Sequence, residues 1–104
     1  MAYEPDGEPC AVEATGIARQ QLQAITRRAI RSDDFEAIVA AARRIQDRLA
    51  ADARAVGDPI FRFRSIRMDV LHFVDEPLYV QYGIPDAGRV AIIRRFVKMT
   101  GPVG

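Results

Sequence analysis

The sequence contains a single cysteine, Cys10, a single histidine, His72, and a single lysine, Lys98. Each scarcity removes a class of explanation. One cysteine cannot close an internal disulfide, and no paired cysteines or clustered histidines exist to hold a structural zinc. No glycine-rich run frames a phosphate-binding loop, and no internal repeat is visible. No apolar stretch approaches the length of a membrane span or the hydrophobic part of a signal peptide, which predicts a cytoplasmic protein without membrane contact. A Ser-His-Asp set can be assembled from Ser65 or Ser32 with His72, but no nucleophile elbow frames either serine. No cofactor and no metal are expected.

What is present fits one small domain. A chain of 104 residues can bury a core unaided but has no room for a deep substrate cavity as well, so any site should be shallow. The net charge of +1 is unevenly spread: residues 1 to 16 hold Glu4, Asp6, Glu8 and Glu13 and no base, leaving the remainder near +5. Residues 1–9, rich in proline and acid and poor in apolar side chains, are expected to form a flexible acidic leader. The domain is expected to span 10–104, with a fraying tail from Thr100.

The first half reads as one strand and two helices. Cys10–Thr15 is short and partly β-branched and is expected to add as an edge strand to a later sheet, with Gly16 as the bend into a helix. From Ile17 to about Arg31, Ala18, Leu22, Ile25 and Ala29 form an apolar stripe, and Arg27 and Arg31 suit the negative end of the helix dipole. Asp33 followed by Glu36 predicts a capping box at the start of a second helix. Phe35, Ile38, Val39, Ala42, Ile45, Leu49 and Ala53 carry the helical period to about Ala55, where Gly57 and Pro59 stop it.

The stretch from Ile60 to Met99 alternates and punctuates like three or four antiparallel strands. Leu78, Val80, Tyr82 and Ile84 share one face, the pattern of a strand with a single buried side. Pro85-Asp86-Ala87-Gly88 supplies a hairpin turn onto Arg89–Met99, and Asp75-Glu76-Pro77 supplies the preceding one. Between Ile60 and Val74 the apolar parity changes, which predicts a bulge near Val70 or a strand covered on both sides. The last strand is mixed on both faces. The fold class is therefore α+β: two antiparallel helices packed on a small antiparallel sheet, in the order strand-helix-helix-strand-strand-strand.

The constellation with chemical content is cationic. Arg62, Arg64 and Arg67 precede or open the sheet strands, and Arg94, Arg95 and Lys98 end the last one. If those strands are neighbours, their charges converge on one sheet edge and could neutralise phosphates or grip a target. The competing reading is a solvated strand face paired with Asp69, Asp75 and Asp86. Arg94 and Arg95 point the same way only if a bulge intervenes. His72, between Leu71 and Phe73, reads as a partly buried structural residue; Tyr82 is assigned to the core and Tyr79 to a surface contact.

In this element order, with Gly57-Asp58-Pro59 before the sheet, Pro77–Ile84 in its middle and Arg89–Arg94 near its end, the chain resembles the RelE/ParE superfamily of type II toxin-antitoxin toxins over about residues 10 to 99. The resemblance implies a toxin held inactive by a cognate antitoxin whose amphipathic segment wraps the helices or the sheet edge. RelE-like members cut messenger RNA in the ribosome with several lysines and arginines and a late aromatic or histidine. This chain has one lysine and no such late residue, so Arg67 and Arg94 would bind phosphate and only His72 or Tyr79 could act as base. ParE-like members act on DNA gyrase without catalytic residues and match better. The expected function is thus a ParE-like toxin that binds a protein target through Arg62, Arg64, Arg67, Arg94, Arg95, Lys98 and Tyr79. The alternatives are a ribosome-dependent endoribonuclease and a non-toxic member that acts only as a binding module.

Overall fold

A computed structural model describes residues 10–87 and 89–99. The acidic leader at 1–9, the Gly88 position of the expected turn and the tail at 100–104 lie outside the described residues. The elements run β1 (Ala11–Ala14), α1 (Gly16–Ala29), α2 (Phe35–Val56), β2 (Asp58–Phe63), β3 (Met68–Asp75), β4 (Leu78–Pro85) and β5 (Val90–Lys98). The sheet order is β1-β5-β4-β3-β2, so the last four strands form a meander and β1 closes its far edge. β1 runs parallel to β5, from Ala11 opposite Val90 to Ala14 opposite Ile93. The sheet is therefore mixed, not wholly antiparallel as the sequence suggested: the two helices return the chain across the sheet and bring β5 alongside β1 in the same direction.

The helices cover one face only. Leu78, Val80, Tyr82 and Ile84 from β4, Ala91, Ile93 and Phe96 from β5 and Leu71 from β3 form one core with Ala18, Ala29, Ile38, Ala41, Ile45, Leu49 and Ala53 of the helices. The side chain alternation of β4 decides this, and all four of its predicted core residues are buried. Thr15 caps α1, its side chain accepting from the Ala18 N–H at 3.1 Å. The capping box expected for α2 does not form. Its N-cap is Asp34, which makes no side-chain bond to the helix N-terminus because its carboxylate is taken by Lys98 Nζ at 2.6 Å and by the Ser32 hydroxyl.

α2 breaks at Asp52, whose φ of −164° and ψ of 81° leave the helical ladder. Asp52 Oδ1 accepts from the Ala55 N–H at 3.3 Å and starts the final turn afresh. Ahead of the break, Cys10 donates its backbone N–H to the Ala50 carbonyl and its thiol to the Leu49 carbonyl, each at 3.0 Å. Beyond it, the buried Tyr82 hydroxyl donates to the Ala53 carbonyl at 2.6 Å, and burial pushes its pKa up to about 12. Gly57 is required just there, because a Cβ would lie 2.5 Å from the Tyr82 hydroxyl and 2.9 Å from the His72 carbonyl.

Two irregularities shape the sheet. On β2 the register shifts between Pro59 and Phe61, opposite Leu71 and Val70, while β3 pairs with β4 without interruption. The parity change seen in the sequence thus has two parts: a bulge on the neighbouring strand, and a β3 with buried residues on both sides, Leu71 toward the helices and Met68 and Val70 on the opposite face. On β5, Arg95 pairs with Gln81 and Ile93 with Tyr82, so Arg94 is an extra residue. That bulge lets Ala91, Ile93 and Phe96 all face the helices despite their uneven spacing.

Candidate functional site

The face of the sheet without helices carries most of the residues with functional chemistry. Because Phe61 pairs with Val70, Phe63 with Met68, and Val70 with Gly83, these residues line one end of that face. Met68 lies flat over Gly83, where a Cβ would meet its sulfur at 2.5 Å. The Phe61 and Phe63 rings stack edge to face at 4.8 Å. The Arg94 guanidinium, carried by the β5 bulge, sits 4.9 Å from the Phe63 ring centre. Farther along the same face, His72, Gln81 and Arg95 form one cross-strand row. In the next row Tyr79 pairs with Val97, and its hydroxyl lies 2.9 Å from His72 Nδ1.

The predicted site residues divide into three groups. Arg94 and Arg95 share this face, as they can only through the bulge. Arg64 and Arg67 lie in the β2–β3 turn, where Arg67 takes a left-handed φ of 50° and donates its N–H to the Arg64 carbonyl at 3.3 Å. Both are exposed and have no carboxylate partner among the described residues. Arg62 faces the opposite way, pairs with Asp69 at 2.8 Å and with Asp86, and is already neutralised. Those ion pairs hold the Asp86 and Asp69 carboxyls below their usual range, with Arg54 of α2 adding to the effect. Lys98 sits at the other end of the domain against Asp34. Tyr79 is half-buried and engaged with His72.

The expected convergence of all these cations on one edge is therefore corrected. β2 and β5 are separated by β3 and β4, and only Arg94 crosses the gap, by resting on Phe63. Sequence reading missed Phe63 as the seat of Arg94 and missed the His72–Tyr79 pair. The mixed faces of the last strand were the available signal for the first.

On the helix side a cleft of about 490 Å³ opens between α1, α2 and β1. Leu22, Val39, Ala42, Ile93 and Phe96 supply apolar walls, with Arg19 and Arg43 among the polar ones. Among the described residues no group of three or more histidine, cysteine or acidic side chains is placed to hold a metal. No helix among them is long and apolar enough to cross a membrane.

A chain of the toxin-antitoxin complex RelBE2 from Mycobacterium tuberculosis superposes with a TM-score of 0.65 at 19% identity, covering 91% of this chain and 97% of that one. The fold is that of the RelE/ParE toxins. A chain of the chromosomal ParDE toxin-antitoxin system from P. aeruginosa matches with a TM-score of 0.58 at 17% identity, over 88% of this chain and 97% of that one. No family model matches the sequence, and no curated protein does. The RelE/ParE-like likeness thus rests on shape: helices on one face, a four-stranded meander, and β1 returned beside β5.

Proposed function

We propose that this protein is the toxin of a type II toxin-antitoxin system, of the ParE kind, which binds a protein target such as DNA gyrase and is neutralised by a cognate antitoxin. The two similar structures described above come from toxin-antitoxin systems, which supports the toxin role and an antitoxin partner. The observation that carries the protein-target reading is the helix-free face itself, where Arg94 rests on half-buried Phe63, whose ring meets exposed Phe61, and Arg95 stands farther along the same face. Arginine interleaved with aromatic side chains is the composition of a protein interface. On this reading the cleft between the helices and β1 takes the amphipathic segment of the antitoxin, its apolar walls flanked by Arg19 and Arg43.

Induced expression in a bacterium tests the proposal. Growth arrest with a DNA-damage response, reversed by co-expression of the adjoining antitoxin gene, is expected. A second reading, a ribosome-dependent messenger RNA endoribonuclease, is favoured by the His72–Tyr79 contact, since it joins two groups capable of proton transfer on the same face as Arg94 and Arg95. Cleaved messages without DNA damage would select it. Unhindered growth would leave only a binding module with the toxin fold.

A further inference from the structure

The β2–β3 hairpin is built unlike the rest of the fold. Among the described residues β2 pairs with β3 alone, although Arg94 of β5 reaches across to rest on Phe63. Yet it holds Ile60 and Phe61 at 40% and 43% exposure, and its turn presents Ile66 at 60%. An edge strand normally carries polar residues there, because exposed apolar side chains on an edge invite association. The hairpin also sorts its charges. Arg62, on the helix side, is bound by Asp69 and Asp86, and Asp69 also draws Arg54. Arg64 and Arg67 in the turn, and Arg94 resting on Phe63, have no carboxylate partner among the described residues. The ion pairs thus gather on the helix side of the hairpin, while Arg67 meets Asp86 only through a longer-range attraction.

We propose that the tip and outer face of this hairpin, centred on Phe61, Phe63, Arg64, Ile66, Arg67 and Arg94, are the surface that reads the target, and that the part of the target it fits is an acidic protein segment with aliphatic or aromatic side chains between its carboxylates. Arg64, Arg67 and Arg94 meet the carboxylates, and Phe61 and Ile66 take the apolar side chains. The edge of β2, with no strand beyond it among the described residues, offers backbone groups to an extended segment. A nucleic acid would use the arginines but has no use for Ile66, an aliphatic side chain that does not stack on bases. Arg67 holds its left-handed backbone because its carbonyl accepts the Asp86 N–H at 2.9 Å, which fixes the turn before any partner arrives. The inference rests on the protein-target reading above for its biological meaning, but its test does not require that the protein be toxic.

Fluorescence anisotropy on the purified full chain is the test, with three labelled probes: a twelve-residue peptide alternating glutamate with leucine and phenylalanine, the same peptide with lysine for glutamate, and a twelve-nucleotide single-stranded RNA. The glutamate peptide should bind at least tenfold more tightly than the lysine peptide and the RNA. Arg64→Glu and Ile66→Asp, neither of which removes a contact within the fold, should each weaken it about tenfold with circular dichroism unchanged. Arg31→Glu, on the remote turn between α1 and α2, should bind like the parent. Glutamate-peptide binding that is indifferent to Ile66→Asp, or RNA binding tighter than peptide binding and lost with Arg64→Glu, would overturn the proposal. Unhindered growth on expression of the parent protein, with peptide binding intact, would count against the toxin reading and leave this one standing.

Discussion

Replacing Tyr82 by phenylalanine removes one oxygen atom from the place where three elements meet. The ring is fully buried, packs edge to face on Phe73 at a centroid distance of 6.0 Å, and would stay where it is. The loss is in the hydroxyl, which donates to the Ala53 carbonyl at 2.6 Å. That carbonyl belongs to the last turn of α2, beyond the break at Asp52, and the buried site leaves no water to replace the hydroxyl. An unsatisfied buried polar group costs about 1–3 kcal/mol, and that is the loss expected of the variant. For a domain of this size that corresponds to a melting point lower by about 4–24 °C. Urea unfolding followed by circular dichroism measures it, with a lower midpoint and an unchanged slope. A loss under about 0.5 kcal/mol would refute the reasoning, because it would mean that the last turn of α2 is not held through this oxygen. Tyr79→Phe makes the matching control: its hydroxyl meets only His72 on the helix-free face, so stability should change by less than about 1 kcal/mol.

Other perturbations address the remaining features. Arg94→Ala with Arg95→Ala should relieve growth arrest at least tenfold in a plating assay while costing the fold no more than about 1 kcal/mol, since Arg94 makes a cation–π contact and Arg95 is exposed. Gly83→Ala should force the Met68 side chain off β4 and lower stability by about 1–3 kcal/mol in thermal unfolding. The carboxyls of Asp69, Asp86 and Asp34 are held below their ordinary range by Arg62 and Lys98, so they bind protons more readily unfolded than folded. Their contribution is present above the usual carboxylate pKa and disappears as the pH falls through the lowered values; Arg62→Gln should flatten acid unfolding in that range. At the alkaline end the Tyr82 hydroxyl, raised to about 12, keeps its proton longer folded than unfolded, so its support is complete below pH ~10 and fades as the pH climbs through 12.

Local rules made the meander and the helices readable. Alternation identified the core residues of β4, and the helical period found Ile38, Ile45, Leu49 and Ala53 of α2, but it also named Phe35 and Val39, which are exposed, and missed the buried Ala41. Distance along the chain defeated the rest. Asp33 and Glu36 satisfy the capping pattern, but Lys98, at the far end of the sequence, takes the neighbouring Asp34 and the box never closes. The direction of β1 depends on which strand it meets after two helices, and nothing inside Ala11–Ala14 encodes that. For the site, the alternation in β5 gave the condition under which Arg94 and Arg95 could act together, a bulge, but not the bulge itself. That one extra residue depends on how Ile93 and Phe96 settle against the helices. The sorting of Arg62 away from Arg64 and Arg67 was likewise invisible, because it follows from where Asp86 and Arg54 come to lie.

The attachment of Cys10 to the interrupted helix determines how far the protein can be trimmed from its front. Two carbonyls in α2 depend on a thiol and an amide that enter from a different part of the sequence. Loss of that residue strips both carbonyls at once, so the fold should answer its removal as a step and not a slope.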